Sequence, residues 1–542
     1  MLLDGRTIPP GERLDADICI IGAGPAGLAL ALSLEAAANR IVLLAGGDGV
    51  VDGEVAGQPY PPLASTRAGG VGGTAWLWDA ELKPSSFGAR YAPLAPIDFD
   101  ERDDGMPGGW PFARDTLDKF YEQAHELCDA GPYEYEPPED ATSITGAGVV
   151  AGIFRFGASE AFTEIHRGQA ERSRKVHLLE HAIATRLVSG DDGGRLASVE
   201  VATVPGRQFV VVARTYVLAA GGIENARLLL SSGIGGESPV GRCFMDHPTI
   251  RCRLEAARGD FSLGFLDTWT AAGRLLLGRI ELSAETMRRE RLLNGGFFFV
   301  PARDRELRAG AAAREFVRSA RERRVPARAL HLASDIASGV DALAYHAHRR
   351  LVAQRPQLAP SLKVWRRSRL LDTLGVGPIS GWSRRRRQPS GYDVYHVIEQ
   401  APDPERRVTL SSRRDAFGYP LARLHWFIGE RELESADSAE EILRQRLEQA
   451  GIGTFRTGRD LAAEGELVAS VHPTAHHHLG TTRMHPDPRF GVVDPDGRVH
   501  DAPNLFVTGG SVFPRSGFVN PTLTVVALAL RLGAYLRKDR SS

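Results

Sequence analysis

Asp17-Ile18-Cys19-Ile20-Ile21-Gly22-Ala23-Gly24-Pro25-Ala26-Gly27 is the stretch that decides the fold. An apolar run of strand length enters a GxGxxG turn, and an alanine- and leucine-rich helix follows to about Ala38. A second apolar strand, Ile41 to Leu44, comes at the distance a βαβ unit requires. The motif alone is weak; between a strand and a helix it predicts a dinucleotide site. Glycines permit the tight turn and close approach of the backbone, while the N–H groups opening the helix receive a pyrophosphate. The competing reading is a chance glycine turn, which the complete strand–turn–helix context disfavours.

Working outward, the end of the second strand departs from the pattern. An acidic residue there normally binds the adenosine ribose, and this chain has Ala45. Asp48, farther along the same loop, is the alternative ligand. A second glycine-rich loop follows, Gly69-Gly70-Val71-Gly72-Gly73-Thr74-Ala75-Trp76-Leu77-Trp78. Between Val176 and Val217 the chain alternates as strands do, with Asp191-Asp192-Gly193-Gly194 as a hairpin signal. Tyr216-Val217-Leu218-Ala219-Ala220-Gly221-Gly222 is another apolar strand entering a glycine turn and a helix.

The C-terminal stretch carries the chemistry. His472-Pro473-Thr474-Ala475-His476-His477-His478-Leu479-Gly480-Thr481-Thr482 sets a histidine cluster against a glycine turn. A short strand, Asn504 to Thr508, ends in Gly509-Gly510-Ser511, and Asn520-Pro521-Thr522 opens a long apolar helix. Proline fits the first helical turn, where a missing N–H costs nothing. Neutral imidazole is a suitable base near pH 7. Of the histidines, His478 competes with His477, because a one-residue slip exchanges the faces of an extended segment. No carboxylate or cysteine stands at metal-ligand spacing beside the cluster, and adjacent histidines on an extended strand point apart, so no metal site is expected.

These motifs, in this order, resemble the glucose-methanol-choline (GMC) family of FAD-dependent alcohol oxidoreductases. The resemblance covers about 15 to 250 and 395 to 538 well and the middle poorly. It implies an α/β fold: a discontinuous Rossmann-like FAD-binding domain with an inserted mixed α/β substrate domain. The expected boundaries are 1–250 for the first FAD part (flavin loop 60–110), 251–405 for the substrate domain, 406–470 for a junction and 471–542 for the C-terminal FAD part.

The family's His-x-x-Gly-Thr spacing assigns the base to His477, and its Asn-before-Pro-Thr position assigns the partner to Asn520. The implied FAD contacts are Gly22, Ala23, Gly24, Pro25, Ala26, Gly27, Gly46, Gly72, Gly73, Thr74, Trp78, Ala184, Ala220, Gly221, Gly510, Ser511, Pro521 and Thr522. Some relatives bond the flavin covalently through a histidine at the position aligned with Leu77. Leucine has no nucleophile, so the resemblance implies FAD held non-covalently.

Glu399-Gln400-Ala401-Pro402 and Arg407-Val408-Thr409-Leu410-Ser411 also resemble the family, with Glu399 and Gln400 as low-ranked substrate contacts or as strand-end residues making local hydrogen bonds. Gly109-Trp110-Pro111-Phe112, the helix around Leu117–Tyr121 and Phe244-Met245-Asp246-His247-Pro248 match family segments too. Asp246 and His247 read first as residues that satisfy backbone groups near a turn. The wording around His477 and Asn520 looks most like the sugar-oxidising branch (pyranose, gluconate and fructose types). The expected reaction is oxidation of a CH–OH group of a sugar, glycoside or related polyol. A lipophilic alcohol of sterol or polyketide type is the alternative within enzymes. A flavin-binding interaction protein without turnover is the alternative outside them: Ala45 leans towards it, and the presence of both His477 and Asn520 leans away. The acceptor that re-oxidises the flavin (oxygen, a quinone or a redox protein) is left open.

A formal net charge of -1 gives no reason to invoke nucleic acid. Cys19, Cys128, Cys243 and Cys252 are isolated, with no CxxC spacing, which suits a reducing compartment. No signal core, twin-arginine pair or long apolar run is present, so a cytoplasmic protein is expected. The segment 301–390 stands apart with 20 Lys and Arg against 7 Asp and Glu. Apolar residues at helical spacing there suggest amphipathic helices. It reads as a solvated arginine-rich face, as peripheral contact with an anionic membrane, or as a lure for an anionic substrate.

Overall fold

The computed structural model describes residues 1–47, 52–77, 88–102, 106–137, 144–158, 160–190, 194–255, 268–271, 274–301, 312–313, 315–319, 329–338, 391–466, 469–471 and 476–539. Asp48, Trp78, His472 and most of the basic segment lie outside them.

The strand Arg13–Ile21 runs through the middle of an eight-stranded sheet. Ile41–Leu44 lies parallel on one side and Arg207–Leu218 parallel on the other. Val176–Glu180 and Leu2–Asp4 extend the parallel edge. Ile183–Ser189, Leu196–Val204 and Arg207–Leu218 form an antiparallel meander, and Asp191, Asp192 and Gly193 of the expected hairpin turn lie outside the described residues. Leu505–Val507 slots in parallel beside Arg207–Leu218, so the chain's two ends meet in one sheet. This is the α/β, Rossmann-like arrangement that the first glycine turn predicts.

The helix Pro25–Leu34 is apolar on almost every side, which is tolerable only for a helix covered all round. It ends at Leu34, short of Ala38. One face packs on the sheet, and another meets the closing helix Thr522–Asp539. Gly533 permits that approach, since a Cβ there would overlap the Ser33 hydroxyl.

A second, nine-stranded sheet is antiparallel throughout its described pairings. It takes strands from the middle of the chain, Pro248–Glu255, Arg274–Leu282, Gly295–Pro301 and Gly391–Ile398. It also takes Gly88–Tyr91 and Val149–Ala158, which the sequence reading grouped with 1–250. The inserted layer therefore begins well before residue 251, because alternating apolar patterns do not tell which sheet a strand joins. The helix Glu430–Gln449 covers this sheet through Ala436, Ala439, Leu443 and Leu447. A small third sheet joins Gly53–Gly57 to the hairpin Arg407–Arg414 and Pro420–Trp426. No described helix is long and apolar enough to cross a membrane.

Candidate active site

A cavity of about 630 Å³ lies at the C-terminal ends of the parallel strands, where ligands of open α/β sheets bind. The first glycine turn forms one wall through Gly22, Ala23, Gly24, Pro25 and Ala26. Gly22 has φ +110, and a Cβ on it would lie 2.5 Å from the Ala219 carbonyl oxygen. Gly27 does not face the cavity. A side chain there would overlap the Gly22 carbonyl, so its role is close packing of helix on turn.

The second glycine loop lies directly against the first. Gly72 N–H donates to the Ala23 carbonyl at 2.8 Å. Gly73 and Thr74 line the cavity, while Leu77 is 41% exposed and does not. Gly46, Ala184, Ala220, Gly221, Gly510, Pro521 and Thr522 all contribute to the lining. Ser511 stands behind it, accepting from the Asn225 amide at 2.9 Å. Ala45 is sealed in the sheet, with both its backbone groups hydrogen-bonded.

Three helices begin at this cavity: Pro25–Leu34, Gly222–Ser232 and Thr522–Asp539. The caps of the first two, Gly24 and Gly221, have no side chain to satisfy the opening N–H groups. Three partial positive ends thus converge on one space. Glycine walls, free N–H groups and the volume fit an FAD lying along this cavity.

Sequence reasoning missed the cavity's charged flank. Arg67 ion-pairs with Glu224, and Arg227 bridges Glu224 at 3.0 Å and Asp415 at 2.8 Å. Arg227 also stacks over the Tyr419 ring at 3.8 Å. Asp415, Phe417 and Tyr419 reach the cavity from the hairpin of the small sheet. No glycine or histidine signature marks that hairpin, so only the pairing with Gly53–Gly57 brings it here.

The chain 476–479 crosses the cavity wall. Leu479 exchanges backbone hydrogen bonds with Met245, which fixes the register of the segment. His477 and His478 then turn opposite ways. His477 Nε2 is 3.4 Å from Asn520 Nδ2, and His478 Nε2 is 3.1 Å from the Tyr60 hydroxyl. The structure therefore brings His477, not His478, to Asn520. Burial pushes both imidazoles well below the ordinary histidine range, with His247 and Arg90 adding to the effect at His477 and Arg67 at His478. His477 is accordingly a neutral ring at pH 7, with a nitrogen facing Asn520.

Glu399 and Gln400 do not line this cavity. Both are fully buried. Glu399 accepts from Arg102 at 2.7 Å and from Asn294 N–H at 3.0 Å. Gln400 Oε1 accepts from Asp246 N–H at 3.0 Å and from the Trp426 indole at 3.2 Å. Their polarity serves the interior: an unsatisfied buried group there would cost about 1–3 kcal/mol.

Comparison with known proteins places this geometry. A family model described as GMC oxidoreductase matches residues 402–529, the segment holding His477 and Asn520. A second model of the same description matches 159–249. The chain is 30% identical to the fructose dehydrogenase large subunit of Gluconobacter japonicus, over 61% of this chain and 48% of that one. It is 39% identical to a C-glycoside 3-oxidase of Arthrobacter globiformis, over 26% of this chain and 25% of that one. The matched stretches thus span half or less of either relative. A variant of the Aspergillus oryzae RIB40 formate oxidase has the same fold with a TM-score of 0.51, 15% identity and coverage of 98% of this chain and 99% of that one. Two family models of the same GMC oxidoreductase description thus fall on segments that wall the cavity and are joined by one parallel sheet, and over both segments the chain is similar to that family.

Proposed function

We propose that this protein oxidises an alcohol group of a sugar, glycoside or related polyol with FAD as its cofactor. The observation that carries the reading is the approach of Asn520 Nδ2 to the Nε2 of His477, a residue that lines a cavity faced by three helix N-termini. The sugar class is supported by this protein's similarity to the fructose dehydrogenase and C-glycoside 3-oxidase relatives.

Bound FAD supplies the two-electron acceptor for the hydride that leaves the carbinol carbon. His477 Nε2 takes the hydroxyl proton, a task for which a ring held neutral by burial is ready without prior deprotonation. Asn520 Nδ2 donates to the same oxygen and fixes which C–H is presented. The positive end of Thr522–Asp539 favours negative charge developing in the cavity. Gly22, Gly24, Gly73 and Gly221, which line the cavity, would hold the dinucleotide by backbone contact. Leu77 has no nucleophile and lies off the lining, so the cofactor is held without a covalent bond.

The test is anaerobic mixing of the purified protein with a panel of sugars, glycosides, polyols and a sterol. Bleaching of the flavin by a sugar-type alcohol is expected. Bleaching only by the sterol, or by none, overturns the reading. Acid precipitation should leave the flavin in the supernatant, and oxygen, a quinone and a redox protein should then be compared as acceptors.

A further inference from the structure

The segment Phe244–Pro248 supplies the surroundings of His477, and its chemistry goes beyond satisfying a turn. Asp246 is fully buried. Its Oδ1 accepts from the backbone N–H of His477 at 2.9 Å and of His247 at 2.7 Å. Its Oδ2 accepts from the Tyr60 hydroxyl at 2.6 Å. One carboxylate therefore clamps two backbones and sets two imidazoles against each other. The rings of His247 and His477 are 4.8 Å apart at 66°, with their Nδ1 atoms 3.0 Å apart.

Only one proton can lie between two Nδ1 atoms. With both rings neutral there are two arrangements. In the first, His477 carries its proton on Nδ1 and donates to His247, leaving the lone pair of His477 on Nε2. In the second, His247 donates, and His477 carries its proton on Nε2.

The surroundings favour the first. Asn520 Nδ2 is a donor facing His477 Nε2, which suits a lone pair and opposes a second N–H. The Nε2 of His247 is buried, short of normal hydrogen-bond geometry, and the Ser516 backbone acts on that ring in the sense that favours a proton. Burial also keeps His247 below the ordinary histidine range, so a neutral acceptor is what it offers.

We propose that His247 is a positioning residue: it accepts the Nδ1–H of His477 and so holds the free lone pair of His477 on Nε2, facing the substrate oxygen. The proposal rests on the reading of His477 as the base. In the step it serves, the substrate O–H bond breaks and an Nε2–H bond forms on His477, whose Nδ1–H stays directed at His247. No electrons enter or leave either ring. A carboxylate at the position of His247 would fix the same tautomer but would raise the affinity of His477 for protons. A neutral imidazole fixes it and leaves the base unprotonated.

The experiment is ¹⁵N NMR of the flavin-loaded protein labelled at histidine, with the His477 signals assigned by their absence in His477→Ala. Neutral His477 protonated at Nδ1 is expected in the natural protein, shifting towards Nε2–H in His247→Phe. With D-fructose, or the best reductant of the panel above, His247→Phe should slow flavin reduction on the order of 10²-fold with little change in KM. His247→Asn places an acceptor oxygen where Nδ1 stood and should restore both tautomer and rate. An Nε2–H tautomer in the natural protein overturns the proposal whether or not the variants fold. So does an unchanged rate and tautomer in His247→Phe. If His477→Ala itself still reduces the flavin quickly, it is the assignment of the base that fails.

Discussion

The two walls of the cavity are made of opposite materials. The glycine wall works by what is missing: no Cβ at Gly22 or Gly27, and no side-chain cap at Gly24 or Gly221. The histidine wall works by what is present: His477 lines the cavity and is backed by Tyr60, Asp246, His247 and Gln400, joined through hydrogen bonds of 2.6–3.0 Å. A backbone cradle recognises a shape and needs only a local sequence. A buried polar network sets protonation and orientation, and it needs partners from distant parts of the chain.

That contrast is most easily broken at Gly27. Gly27→Val drives a side chain into the Gly22 carbonyl, and loss of bound flavin or of soluble protein is expected. Visible absorbance per mole of purified protein checks it, and a fully yellow variant would refute the steric account. On the other wall, His477→Ala should keep the flavin and lose about 10²- to 10⁴-fold in its reduction by substrate. Stopped-flow reduction measures this, and a rate within a few-fold of normal contradicts the split between the walls.

Tyr60→Phe leaves one oxygen of Asp246 buried without its donor. A loss of about 1–3 kcal/mol in stability is expected, read from urea unfolding with the glycine wall intact. An unchanged midpoint would mean that the network is not cooperative.

Protons discriminate the walls as well. His477 and His478 bind protons more weakly folded than unfolded, through burial first. Unfolded imidazole protonates near pH 6.5, so the stability these rings contribute is full above that value and declines as the pH falls below it. The acidic limb of the flavin-reduction rate should likewise lie below about pH 6.5; a limb at or above it argues for a different base. The smallest effect belongs to Gly24→Ala. Its added methyl meets nothing closer than Gly73 Cα at 4.0 Å, so stability should change by less than about 0.5 kcal/mol. Cofactor affinity should still fall, because the methyl points into the cradle. Equal flavin retention would show that the cofactor does not approach this glycine.

The same contrast explains what was legible beforehand. The cradle is a contiguous strand, turn and helix, and its periodicity and glycines stand in one short run. The pairing of His477 with Asn520 came from resemblance, and the structure finds the two side chains adjacent. The network was not legible, because Tyr60 and Asp246 are 186 positions apart and nothing local announces the bond. Asp246 and His247 read first as turn residues, and Glu399 and Gln400 read equally as substrate contacts or as strand-end residues with local hydrogen bonds, since a buried polar residue and a cavity-facing one have the same letter. Sheet membership failed similarly: Gly88–Tyr91 and Val149–Ala158 alternate like any half-buried strands, and only pairing sends them to the antiparallel layer.

The insertion of Leu505–Val507 beside Arg207–Leu218 also bears on how the molecule is made. On the ribosome, the first glycine turn emerges early, with the histidine wall and the closing helix still unsynthesised. For most of translation the nascent chain exposes an incomplete sheet edge at Tyr216–Leu218 and an apolar helix, Pro25–Leu34, lacking its cover. The segments that seal both, Leu505–Val507 and Thr522–Asp539, leave the exit tunnel after everything they cover.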